Sequence, residues 1–439
     1  MFTLSTQISA MLLLCTALFA SVPLDFQAQS PPPQLLHLAS YQLGYDIDFS
    51  PYAGSENLLF ATRAIERIEN AILGQNAICY SAQAGARLWR LSELFFGWLP
   101  LNYYAIVLQH EFFGHGFQIR SAGKHKAKVI GYEIDTPIPY GYGGGATEYA
   151  VSNRLTTTDE SAISLAGINA TAILALATKI KWLQANWIDP KQSILYLLGQ
   201  YDLNLYVGSL DTDTTLNGHD VHDYIQALNY TYPAKPLNCQ FIQNWSWINL
   251  IDPFTYYAIY SWFHYLSSGQ ETTIPMIPIA NRGYLFNCRL QLTPFGPEYL
   301  FENYLLQNHQ AFYFYLKGGK HGENNYYGGG FYAPSIWQFN GWAIGARLDG
   351  WKQPQLLLFP GNISAIDIDF HEPPNPHKPL YPYSEQYKSR LGAGGSIICS
   401  YGKDKSGFEF ELGFKAQGFI AGYSLKASPI ARFYYMILL

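Results

Sequence analysis

Two histidines bracket a glutamate in the segment His110-Glu111-Phe112-Phe113-Gly114-His115. Zinc in a hydrolytic site takes three protein ligands and keeps one position for water, with neutral imidazole as its usual nitrogen ligand. In such an arrangement His110 and His115 would hold Zn2+, and Glu111, beside the first ligand, would take a proton from that water. The common form of the motif spaces its histidines four apart, about 40° around a helix, whereas residues five apart are separated by about 140°. Both rings then reach one metal only if the helix carries an extra residue, a π-type bulge of the kind often found at functional sites. Gly114 supplies backbone latitude at that point.

Candidates for a third ligand lie further along the chain. Glu160 stands in Asp159-Glu160-Ser161-Ala162, at the head of an apolar run. Its rivals are Asp220 and His219, in Asn217-Gly218-His219-Asp220-Val221-His222-Asp223-Tyr224, where Asp220 also fits the role of a helix cap. Tyr140 and Tyr142, in Tyr140-Gly141-Tyr142-Gly143-Gly144-Gly145, suit a flap over bound substrate that polarises its carbonyl. The same run also reads as a plain flexible turn, and no GKS or GKT follows to make it a phosphate loop. His125 sits with Lys124, Lys126 and Lys128 as a surface group. His371-Glu372 leads into Pro373-Pro374 and is expected to be a loop.

The helix His110-Glu111-Phe112-Phe113-Gly114-His115-Gly116 resembles the HExxGHG helix of the dipeptidyl peptidase III family of zinc peptidases. The match covers seven residues. That resemblance implies His110 and His115 as ligands, Glu111 as base and a glutamate from a later helix as third ligand. The family's second motif, EExxAE, is not intact, and Asp159-Glu160-Ser161-Ala162 is the nearest segment to it. The helix followed by Asp159-Glu160 and Ala166-Gly167-Ile168-Asn169-Ala170 also resembles bacterial envelope proteins.

Export is indicated at the start of the chain. Ile8 to Ala20 form an apolar core, followed by Ala20-Ser21 and by Ser30-Pro31-Pro32-Pro33, so residues 1–29 read as a signal peptide. The segment lacks a Lys or Arg near Met1 and carries Leu18 where a small residue is usual. An uncleaved N-terminal anchor is the other reading. Charged residues make up 13% of the chain and aromatics 16%, with 35 tyrosines. That bias suits a protein touching a lipid interface. The net charge of −5 offers no basic field, so nucleic acid is not an expected partner. Cys79, Cys239, Cys288 and Cys399 form no CxxC pair; one or two disulfides, of which Cys239 with Cys288 is the most local of the possible pairings, and free buried thiols are both open readings.

Two textures divide the chain. Apolar runs of helical length fill Asn57–Leu73, Arg87–Arg120, Ser161–Trp182, Lys191–Leu210 and Phe254–Ser267, with Asp159 placed to cap the third. From about Ala311 the period changes to two: Phe408, Phe410, Leu412 and Phe414 alternate with Glu409, Glu411 and Lys415. Phe419 to Ala427 and Phe433 to Leu439 repeat the pattern. Trp342–Gly350, Gln355–Phe359 and Leu391–Tyr401 are further strands, with Ala311–Lys317 and Tyr327–Ala333 less regular, and Gly361–Arg390 is a long loop.

The expected architecture is α+β: a helical zincin-like domain over residues 30–308, then an antiparallel β-barrel of about eight strands over residues 309–439. The expected function is a zinc-dependent peptidase of a Gram-negative envelope, held by the barrel in outer-membrane lipid or lying in the periplasm. A soluble barrel or sandwich would show the same alternation. The alternatives are a non-enzymatic barrel, a channel or surface module with a vestigial metal motif, and an intramembrane protease.

Overall fold

A computed structural model describes residues 41–73, 83–209, 218–358, 370–371, 388–403 and 406–437. The signal segment, Cys79 and most of the Gly361–Arg390 loop lie outside the described residues.

The runs expected to be helical are helices, with ends set by local chemistry. Pro51 opens α1 (Pro51–Leu73), where its fixed φ suits a first helical residue. A continuous rod follows over Ala84–Ala122. It comprises α2 (Ala84–Ser92), a π-turn (Glu93–Trp98), α3 (Leu99–His110), a second π-turn (Glu111–His115) and α4 (Gly116–Ala122). Next come α5 (Thr157–Ser164) and α6 (Ala166–Ala185), bent by 46° where they meet. Thr156, not Asp159, caps α5. Its hydroxyl accepts from the Asp159 N–H while the Asp159 carboxylate accepts from the Thr156 N–H, a capping box. Asp159 also pairs with Lys126 at 2.6 Å, so this lysine, expected on the surface, is buried. The helical part continues with α7 (Ser193–Ser209), α8 (Asp220–Thr231), α9 (Cys239–Ser246) and α10 (Pro253–Ser268).

The strands, in chain order, begin with β1 (Tyr41–Asp46), the hairpin β2 (Ala127–Ile134) and β3 (Gly145–Ser152), and the short pair β4 (Trp187–Ile188) and β5 (Thr272–Thr273). A meander then runs through β6 (Ile277–Ile279), β7 (Arg282–Thr293), β8 (Gly296–Gln307), β9 (Gln310–His321), β10 (Asn324–Phe339) and β11 (Trp342–Pro354). Last come β12 (Phe370–His371), β13 (Ser389–Lys403), β14 (Ser406–Lys415) and β15 (Ser428–Ile437). Ten of these form one antiparallel sheet in the order β1-β15-β14-β13-β11-β10-β9-β8-β7-β6. His371, expected in a loop, pairs instead with Val151 of β3.

The sheet differs from the expected eight-stranded closed barrel. It has ten strands, four of them, β1, β6, β7 and β8, in the stretch assigned to the helical domain, and it does not close. Helices α1 and α6 face its inner side. One cavity of about 110 Å³ is lined by residues from β1 (Gln42), β14 (Glu411), β9 (Tyr315), β7 (Arg289) and also from α1 (Glu56) and α6 (Lys181), so the sheet curls around these two helices. At the β1 edge the Asn57 side chain of α1 donates to the Gly44 carbonyl at 2.9 Å and accepts from the Gly44 N–H. At the other edge β6 is three residues long and contains Pro278. The segment Phe419 to Ala427 is a connection, not a strand. It turns at Gly422 (φ 77°) and buries Phe419 and Leu425 beside Leu165 and Ile168. Residues 355–358 likewise follow β11 outside any strand, and Cys239 and Cys288 are free thiols.

Within β14 the two faces are as the alternation predicts. Glu409, Glu411 and Lys415 point into the concavity and are buried, while Phe410, Leu412 and Phe414 are 42%, 61% and 58% exposed. The concave side is held by ion pairs, among them Arg432–Glu411 at 2.8 Å and Arg289–Glu302 at 2.9 Å.

Asn57→Ala would leave the Gly44 N–H and carbonyl without the side chain that pairs them. Unfolding in denaturant should show a loss of about 1–3 kcal/mol. An unchanged midpoint would mean that β15 pairing alone secures β1.

Candidate metal centre

His110 is the last residue of α3 and His115 closes the π-turn that follows. The extra residue of that turn brings the two side chains onto one face, as the five-residue spacing requires. Their Nε2 atoms stand 3.1 Å apart. Two ligands at 2.0–2.1 Å from one tetrahedral zinc would be separated by about 3.3 Å. Asp220, the first residue of α8, completes the group: its Oδ2 lies 2.8 Å from His110 Nε2 and 3.1 Å from His115 Nε2. Among the described residues, His110, His115 and Asp220 form the one group of at least three His, Cys, Asp or Glu side chains whose ligand atoms converge tightly enough to hold a metal ion.

Both rings are oriented from behind. His110 Nδ1–H donates to Asp202 Oδ2 of α7 at 2.9 Å, and the same oxygen accepts from the Thr171 hydroxyl of α6 at 2.8 Å. His115 Nδ1–H donates to the Ile163 carbonyl of α5 at 2.7 Å. Each neutral imidazole thus turns its Nε2 lone pair toward the other and toward a carboxylate, an arrangement only protons or a cation can hold together. Burial opposes charging of His110, but Asp202 and Asp220 outweigh it and lift its pKa well above the usual value. For His115, burial is likewise outweighed by Asp220, and its pKa is raised. Burial would push the Asp220 carboxyl up, yet the two histidines hold it below the ordinary range. This donor set of two imidazoles and one carboxylate, with outer hydrogen bonds to a carboxylate and a carbonyl, could hold a metal ion.

Two glycines make the geometry sterically possible. A Cβ on Gly114 would come within 2.7 Å of Gly167 Cα and 2.9 Å of the Ala166 carbonyl oxygen, so the π-turn and the start of α6 approach backbone to backbone. A Cβ on Gly167 would overlap the His110 ring.

Glu111 is buried beside this group, and its Oε2 accepts from the Thr147 hydroxyl of β3 at 2.7 Å. A cavity of about 270 Å³ opens there, lined by His110, Glu111, Gly144, Gly145, Leu205 and Tyr206 among others. The Tyr206 ring stacks on His110 with 10° between planes, and its hydroxyl is 3.1 Å from His110 Nε2. Burial, reinforced by Asp220 and Asp202, raises the Tyr206 pKa and keeps the phenol protonated.

The other sequence candidates sit apart from the converging atoms. Glu160 lies outside the set, on α5, where burial first and Asp223 second push its carboxyl up to about 7. His219 caps α8, its Nδ1 facing the His222 N–H, and packs edge-on against Tyr206. Tyr140 and Tyr142 are on the connection between β2 and β3, with the Tyr140 hydroxyl donating to the Phe96 carbonyl at 2.7 Å and Tyr142 almost wholly exposed. Asp202, Thr171 and Tyr206 were not singled out from the sequence, although a lone aspartate inside the apolar run Leu195–Leu205 is itself a signal of a buried partner. Comparison of the chain with protein-family models, with curated proteins and with solved structures gives no match.

Gly167→Ala should force the His110 ring aside and weaken zinc binding by about 10- to 100-fold, the range for loss of an orienting contact, read by competition with a chromophoric chelator. Glu160 supplies a pH test. Its folded pKa of about 7 exceeds its ordinary value of 4.5, so it is neutral in both states at low pH, and the fold loses stability as pH rises through 7. Glu160→Gln should therefore raise the melting temperature at pH 8 and leave it nearly unchanged at pH 4; equal effects at both would contradict this burial.

Proposed function

We propose that this protein is a zinc-dependent hydrolase of peptide bonds. The observation that carries the reading is the convergence of His110 Nε2, His115 Nε2 and Asp220 Oδ2, with Glu111 at the wall of an adjoining cavity. Zinc held by these three residues would acidify a water and polarise the scissile carbonyl.

The chain's own groups supply the remaining steps. Glu111, fixed by the Thr147 hydroxyl, accepts a proton from the attacking water and returns it to the departing amine nitrogen. Tyr206, held protonated, donates a hydrogen bond to the oxygen that gains charge as the carbonyl is attacked. Ile106, Val107 and Leu205 give the cavity an apolar side suited to a substrate side chain. Gly144 and Gly145 also line the cavity, Gly145 close against Val107 and Glu111, so a bound peptide passes the hairpin connection carrying Tyr140 and Tyr142.

Freshly prepared protein should contain about one zinc per chain and lose peptide hydrolysis on chelation. Glu111→Gln should keep the metal while kcat falls by about 10²- to 10⁴-fold. Asp220→Ala should weaken zinc binding by more than the ~100-fold upper range of an outer contact, while Glu160→Ala leaves it unaltered. Protein free of zinc and inert toward peptide libraries would sink the enzyme reading in favour of a non-enzymatic module.

A further inference from the structure

The large sheet carries its polarity inside out. Asp46, Arg289, Glu302, Arg347, Glu411 and Arg432 all lie on the concave side, paired with one another through bonds such as Arg347–Glu411 at 3.4 Å and Arg432–Asp46 at 3.4 Å. The convex side shows exposed Leu43 on β1, Phe433 on β15, Leu412 on β14, Ile397 on β13, Leu348 on β11 and Leu316 on β9. A sheet folded for water would place these sets the other way round. Contiguous apolar surface on a soluble monomer rarely exceeds a few hundred Å², and this face continues across strands from one edge of the sheet toward the other.

Register adds a second, independent feature. Tyr435, Phe408, Tyr401, Trp342 and Phe339 are successive cross-strand partners on β15, β14, β13, β11 and β10, forming one row of aromatics around the outside. Trp342 and Tyr401 stand 4.9 Å apart, and Tyr401 and Phe408 5.8 Å. Beyond that row the outward positions of β11, from Ile344 to Gly350, carry no charge until Lys352. Nine residues from Trp342 to Gly350 span roughly 30 Å along a strand. At a tilt of about 40° this gives a height of about 23 Å, close to the apolar band between the aromatic girdles of outer-membrane barrels.

We infer that the convex face of the sheet is embedded in lipid hydrocarbon, with the helices packed in its concavity rather than a closed ring of strands completing the wall. An open edge is costly in lipid, where no water satisfies its backbone groups. Here Asn57 meets the Gly44 N–H and carbonyl at the β1 edge, and α1 beside it presents exposed Ile65, Ile68 and Ile72. A second copy of the chain is a poorer occupant. Two convex faces touch over a narrow strip, and the concave face is filled by the chain's own helices. The inference does not depend on the metal centre.

Full-length protein, with native cysteines replaced, would be spin-labelled at Leu412→Cys or Ile397→Cys on the convex face and at exposed Lys124→Cys as a control. It would be reconstituted into vesicles of phosphatidylcholine and phosphatidylglycerol. The convex labels should collide freely with oxygen but at a rate roughly tenfold lower with a water-soluble nickel chelate than the control, because the hydrocarbon excludes water. Unlabelled wild-type protein should float with vesicles in alkaline carbonate. Labels open to the chelate on protein that stays in the aqueous fraction would overturn the inference. So would labels shielded from both reagents together with a doubled particle mass, which would assign the face to a second copy.

Discussion

Three groups with lone pairs aimed at one point set the terms for the helical part of this molecule. His110 Nε2, His115 Nε2 and Asp220 Oδ2 lie within 2.8–3.1 Å of one another, the two histidines buried and Asp220 partly so, and such a set repels itself unless a cation or protons sit between. Much of the nearby architecture serves to hold them there. The π-turn aligns the histidines, and Gly114 and Gly167 admit the close approach of α6. The Asp202 carboxylate and the Ile163 carbonyl fix the rings from behind. Asp220 arrives from α8, more than a hundred residues along the chain, so the site exists only when α3, α5, α6, α7 and α8 are packed together.

The sheet obeys a different constraint, the pairing of charge inside a curved wall. Buried cations and anions are tolerated there because nearly every one has a partner: Lys317 with Glu298 at 3.1 Å, Arg289 with Glu302, Arg432 with both Glu411 and Asp46. Lys415 instead donates to the carbonyls of Ala416, Gly418 and Ser424, which ties the connection after β14 back onto the strand. The two parts are therefore not separable layers. Helices α1 and α6 supply the inner surface against which the sheet curls, and α6 also carries Gly167 and Thr171 of the candidate metal centre.

Some of this was legible in the residues alone. The His-Glu-x-x-x-His spacing demands a π-bulge if both rings are to meet, and the turn Glu111–His115 is π-helical. The alternation in β14 assigned the inward and outward faces of Phe408 to Lys415. Other features were hidden for physical reasons. Strand β7 carries a period of two, with Asn287, Arg289, Gln291 and Thr293 alternating with Cys288, Leu290 and Leu292, but it directly follows the helical runs, and its apolar Leu290 and Leu292 are buried with Ile242 of α9 as a helix face would be. Phe419 to Ala427 mimics a strand because its alternate side chains are buried in a connection, not on a sheet. The open sheet with α1 and α6 against its inner side is a long-range packing outcome that no local period reports. Among site residues, Asp202 and Tyr206 escape because each is one polar group in the apolar face of α7, and only the fold shows that this face meets His110.

X-ray absorption at the zinc edge of metal-loaded protein tests the central claim most directly, since it reports the atoms around the ion without reference to turnover. The geometry predicts two imidazole nitrogens at about 2.0–2.1 Å and carboxylate or water oxygen at about 2.0–2.2 Å, with no sulfur. Loss of imidazole scattering in His115→Ala would place that ring on the metal. A spectrum dominated by sulfur at about 2.3 Å, or one showing oxygen alone and unchanged by that substitution, would contradict the account.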